Sequence, residues 1–216
     1  MTLIELAQKV NSSADPMAKD STKEEFNNNS NAFYNYCLNN LEEVINASEH
    51  DSYHIGRAFF NLLKEKHLPI IIANDDLAIN GTAVNISLAC AIICLSKALC
   101  MRTAQSMIAA SLFYTILKDF NSQLIPTIAS LTNGYIREYI EDPDSIVSLI
   151  PDVPNDFRAF DKRITYVKYY IIFLTNSQPA GFKLNKTNFR IGELYMKALY
   201  FESVQQIKRY IEFGMI

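Results

Sequence analysis

The sequence predicts an all-α fold, a compact bundle of about seven helices. Three observations carry the all-α expectation. Apolar residues recur at three- and four-residue spacing along most of the chain. Gly and Pro number only six and seven in 216 residues, too few for a turn-rich β-sandwich. The one β-branched run, Pro69-Ile70-Ile71-Ile72, gives way almost at once to Asn74-Asp75-Asp76, which suits an extended connector better than a sheet strand.

The elements follow in order. Residues 3–10, LIELAQKV, suit a short first helix, and residues 11–31 are polar and rich in Asn and Ser, so 1–31 reads as a short helix with a linker. From Ala32 the pattern turns helical through Phe33, Tyr36, Cys37, Leu41, Val44 and Ile45. A second helical stretch carries Ile55, Phe59, Leu62 and Leu63 and ends near His67, before Pro69. Residues 82–99 form a helix apolar nearly all round, as expected of a core helix. Thr103 suits the N-cap of a helix over 104–119. Helical character continues over 122–141, where Pro126 falls in the first turn. Pro143, Pro151 and Pro154 make 142–156 a loop, and helices follow over 157–174 and 187–213 with a turn at Pro179-Ala180-Gly181. Residues 32–216 therefore read as one helical domain.

Composition bounds the function. Hydrophobic residues make up 49% and charged ones 20%, a balance that fills a core. A net charge of −3 and a pI near 5.6 argue against a DNA or general nucleic-acid binder, because phosphate neutralisation needs clustered Lys and Arg. The longest apolar stretch, 83–99, is broken by Asn85, Ser87, Ser96 and Lys97, so no membrane insertion is expected. The first ten residues lack the positive flank and apolar core of a signal peptide, which makes a cytoplasmic location the expectation.

Few residues offer chemistry. Cys37, Cys90, Cys94 and Cys100 are expected as reduced thiols; Cys90 and Cys94, four apart, share a helix face, yet no zinc pattern surrounds them, so packing as small hydrophobes is the favoured reading. The histidines are His50, His54 and His67, and none follows. His50 and His54 have the separation of helical zinc ligands without the HExxH order, and a solvated helix end is preferred. Asp75-Asp76 pairs carboxylates but suits a helix entry. The aromatics of the last third, among them Tyr166, Tyr170 and Phe173, are expected to fill core rather than stack on bases.

Three blocks carry a resemblance. The first is Thr82-Ala83-Val84-Asn85-Ile86, and thirty-two residues after Thr82 comes Tyr114-Thr115-Ile116-Leu117-Lys118. The third runs from Arg163-Ile164 through Val167 and Tyr169 to Leu174-Thr175-Asn176-Ser177-Gln178-Pro179. In order and spacing they resemble the HD-GYP branch of the HD superfamily, whose phosphodiesterases cleave cyclic dinucleotides. There the blocks read His-Ser-x-Asn-Val, His-Asp-Ile-Gly-Lys and Ala-Arg-Ile, followed by Asp and Ala-Leu-Thr-Ser-Asp-Arg-Pro. The resemblance spans about residues 70 to 213 with a gap at 120–156, and the non-catalytic HDOD relatives are a rival label for it.

The resemblance implies a dinuclear metal centre in the family, with ligands at the positions of Thr82, Tyr114, Thr115 and Tyr169. Neutral Thr and protonated Tyr hold a divalent ion poorly and do not generate a metal-bound hydroxide at neutral pH. The family's His-His-Glu and Gly-Tyr-Pro motifs have no counterpart in residues 134–156. The expectation is a catalytically inactive domain with no metal and no cofactor, acting as a signalling or interaction module. A protein partner or a homodimer through 32–67 follows from the amphipathic pattern there. The alternative is a sensor that binds a nucleotide or cyclic dinucleotide such as cyclic di-GMP without hydrolysis, with Lys118 meeting phosphate.

Overall fold

A computed structural model describes residues 1–15, 22–69, 81–101, 103–120 and 186–214, with backbone alone at 118 and 186–198. Every regular element among these is helical: α1 (Leu3–Ser13), α2 (Lys23–Asn39), α3 (Leu41–Asn46), α4 (Glu49–Leu62) running into a π-helical turn (Leu63–His67), α5 (Gly81–Leu99), α6 (Ala104–Asp119) and α7 (Lys186–Phe213). The all-α expectation holds for this part of the chain. The expected elements at 122–141, 142–156 and 157–174 and the connector at 70–80 lie outside the described residues.

The chain divides into two compact units, Met1–Leu112 with Val204–Ile216, and Phe113–Ser203. In the first, α1 packs on α2 and α4, and α4 packs along α5. Helix α1 begins at a reciprocal cap: the Glu5 N–H donates to the Thr2 hydroxyl at 3.3 Å and the Thr2 N–H donates to the Glu5 carboxylate at 2.9 Å. Its buried stripe of Leu3, Leu6, Ala7 and Val10 belongs to the core of this unit.

The polar stretch read as linker is helical from Lys23 onward. Thr22 caps the helix by accepting from the Glu25 N–H at 3.1 Å, with Glu24 and Glu25 in the first turn, where carboxylates suit the helix dipole. One narrow face buries Phe26, Ser30, Phe33 and Cys37, while the Asn and Ser residues occupy much of the rest. Propensity alone does not hold such a helix; tertiary burial does. Phe33 packs edge-on against Phe59 of α4 with ring centres 4.8 Å apart, and both are fully buried.

The pattern from Phe33 to Ile45 is two helices rather than one. At Asn40 the backbone leaves the helical region (φ −136°, ψ 42°), and its side chain donates to the Tyr36 carbonyl at 2.8 Å, meeting an orphan acceptor at the end of α2. Phe33, Cys37, Leu41, Val44, Ile55 and Phe59, which make the apolar pattern of segment 32–67, are buried within the first unit.

Helix α5 is buried nearly all round from Val84 to Leu99. It is the one helix among the described residues long and apolar enough to cross a membrane, and 78% of that stretch is buried inside the protein, chiefly beneath α4. Gly56 permits the close crossing: a Cβ there would lie 3.0 Å from Leu95 Cδ2 and 3.1 Å from Cys94 Cβ. In the second unit, α6 buries Phe113, Ile116 and Leu117, Phe120 is buried just past its end, and α7 buries Leu199, Tyr200 and Ser203. The one or two closing helices expected over 187–213 are one continuous helix.

Candidate functional site

The positions that the resemblance singles out stand, where described, on α5 and α6. Thr82 stands in the first turn of α5 with its side chain exposed. Tyr114 and Thr115 are adjacent in α6 and half-buried. Lys118 lies on the last turn of the same helix, and Tyr169 lies outside the described residues, as does Asp75-Asp76. Thr82 belongs to the first compact unit and the other two described side chains to the second. Among the described residues no three His, Cys, Asp or Glu side chains are gathered so as to hold a metal ion.

The cysteines behave as core. Cys37, Cys90 and Cys94 are buried, and Cys100 is half-buried. Burial pushes the Cys94 thiol up to about 12 and raises Cys37 and Cys90 as well, with the neighbouring thiols adding to the rise for those two. Thiols held protonated are poor nucleophiles and poor ligands. Tyr34, also raised to about 12 by burial, sits among them within electrostatic reach of Cys37, Cys90 and Tyr210.

Lys97 was not singled out by sequence. Near the end of α5 its ammonium donates to the carbonyl oxygens of Ile45 and Ala47, the latter at 3.0 Å. These are the last acceptors of α3, where a cation meets the negative end of the helix dipole. Burial lowers the Lys97 pKa, and the neighbouring Cys94 and Glu49 oppose that.

Around α4 the structure gathers polar groups. Asn11 of α1 is buried; its amide donates to the His54 carbonyl at 3.0 Å and its oxygen accepts from the Asn61 amide at 3.0 Å. The His54 ring is half-buried and lies 5.5 Å from the exposed His50 ring and 5.2 Å from the Tyr53 ring, centre to centre. Burial lowers the His54 pKa, and His50 and Arg57 lower it further against the opposing charge of Asp51. So the solvated helix end expected here is half right: His50 faces solvent and His54 packs.

His67 closes the π-helical turn with its Nε2 atom buried and, among the described residues, without a hydrogen-bond partner. Burial, with Lys66 beside it, lowers its pKa to about 4. Lys66 itself donates to the Asn31 side chain of α2 at 2.6 Å. An open groove of about 690 Å³ lies at the α2–α3 elbow, lined by Asn39, Asn40, Glu42, Glu43 and, from the end of α7, Tyr210 and Ile211. One of its carboxylates is engaged: Glu43 accepts from the Tyr36 hydroxyl at 3.1 Å. Neither the elbow nor the unpartnered imidazole has a signature in the sequence, since both depend on where α2 stops and how α4 ends.

Comparison with known proteins gives no match to any protein-family model, to any curated protein or to any solved structure.

Proposed function

We propose that this chain is a catalytically inactive relative of the HD-GYP phosphodiesterases that works as a signalling or protein-interaction module. One observation carries the reading: three blocks in family order and spacing keep Asn85, Ile116, Lys118, Arg163, Ile164, Val167, Leu174, Thr175 and Pro179, while the four ligand positions hold Thr82, Tyr114, Thr115 and Tyr169. Losing ligands together removes the bound hydroxide on which phosphodiester hydrolysis depends, so the substitutions abolish turnover rather than slow it. Aromatic side chains at two of the positions suit a filled space, because a vacated centre left empty forfeits packing contacts. The test is hydrolysis of cyclic di-GMP by the full chain with Mn²⁺ or Fe²⁺ supplied. No linear dinucleotide or GMP is expected above the buffer rate, and metal-dependent turnover would overturn the proposal.

Lys118 favours a second reading, a sensor that holds a nucleotide or cyclic dinucleotide uncleaved, since a lysine at the end of the second block can meet phosphate. Calorimetry with cyclic di-GMP separates the two. Binding lost in Lys118→Ala supports the sensor, and no heat at high micromolar concentration leaves the interaction module. The HDOD-like label describes the same non-catalytic role, and neither reading routes chemistry through His50, His54 or His67.

A further inference from the structure

We propose that His50 and His54 form a two-histidine chelate on α4 for one imidazole-preferring divalent ion, of the class of Ni²⁺, Cu²⁺ or Zn²⁺, with water completing the coordination. Residues four apart stand one above the other on the same face, so both imidazoles project from neighbouring turns of α4. The structure places their ring centres 5.5 Å apart. An ion about 2.1 Å from one nitrogen of each ring sits about 3.2 Å from each ring centre, and a tetrahedral angle then sets the centres about 5.2 Å apart. The ring centres are therefore within a few tenths of an ångström of chelating separation, and the rings, now edge-on at 81°, must turn about their side-chain bonds to aim one nitrogen each at the ion.

The surroundings favour one ring as anchor and the other as clamp. His54 is half-buried, its ring packed edge-on against Tyr53 at 5.2 Å, so less rotamer freedom remains to be lost on binding. His50 is exposed and free to close onto the ion. Asp51 and Glu49 lie in the first turn of α4 and supply negative charge. Against them stand Arg57 and the positive end of the α4 dipole, which repel a cation and make this a weak site rather than a structural one. The buried, protonated thiols of Cys37, Cys90 and Cys94 compete poorly for the ion.

The test is calorimetric titration of the metal-free full chain with NiCl₂, repeated on His50→Gln, His54→Gln and His67→Gln. One equivalent should bind the wild type. Affinity should fall at least tenfold in each of the first two variants and stay unchanged in the third. His50 is exposed, so H50Q keeps the test valid even if H54Q disturbs packing. No heat in the wild type, or an affinity unchanged in H50Q, or a loss confined to H67Q, would each overturn the proposal. None of these results bears on the four replaced ligand positions, so this site and the inactive-domain reading stand or fall separately.

Discussion

The Lys97 ammonium donates to the Ala47 carbonyl at 3.0 Å, tying the end of α5 to the end of α3. Lys97→Met keeps the alkyl stem and removes the head. The acceptors of Ile45 and Ala47 then lose their charged donor, and the expected destabilisation is about 1–3 kcal/mol. A urea unfolding midpoint that falls with an unchanged slope would show it.

At Gly56, α4 approaches α5 closely. Alanine at this position gains up to about 1 kcal/mol of helix propensity but forces a methyl to 3.0 Å from the fully buried Leu95 side chain. Overpacking of this kind costs about 1–3 kcal/mol, so Gly56→Ala is expected to lower stability on balance. Combining it with Leu95→Ala should recover part of that loss relative to Leu95→Ala alone, and thermal melts of the four-member cycle measure the coupling.

Asn11 holds α1 to α4 through the His54 carbonyl and the Asn61 amide. Asn11→Ala removes two hydrogen bonds at a buried position and should cost about 1–3 kcal/mol. Hydrogen exchange should then quicken across Leu3–Ser13 ahead of α5, because the anchor lost is local to α1.

His67 gives a pH dependence with a definite sign. Its folded pKa of about 4 lies below the ordinary value of 6.5, so the unfolded chain takes up a proton that the folded chain refuses. The contribution is fully present above about pH 6.5 and is lost as pH falls from there through about 4. A wholly buried group with these values would account for about 3.4 kcal/mol; solvent screening of the half-buried ring reduces this to about 1–2 kcal/mol. The stability difference between pH 7.5 and pH 4.5, read from urea midpoints, should shrink by that amount in His67→Gln.

Helices were legible where the apolar stripe was wide. Ile55, Phe59, Leu62 and Leu63 announced α4, and the continuous run from Val84 to Leu99 announced α5. The first half of α2, before Ala32, was not legible, because its buried face is a thin line of Phe26 and Ser30 among Asn residues of poor helix propensity, and Thr22 as cap was the overlooked signal. The break at Asn40 hid because α3 resumes the same apolar period. Lys97 looked like an interruption of an apolar helix, whereas its partners lie some fifty residues away in sequence, a pairing that no local pattern encodes. His50 and His54 were visible as a spacing; their ring separation needed the fold.

The proposed inactive domain would hold no metal at Thr82, Tyr114, Thr115 and Tyr169. The most direct measurement is elemental analysis of the His50→Gln/His54→Gln double variant, purified without chelators so that any tightly held ion survives and the α4 pair contributes none. Iron, manganese and zinc are each expected far below one equivalent per chain. Two equivalents retained in that variant would contradict the proposal.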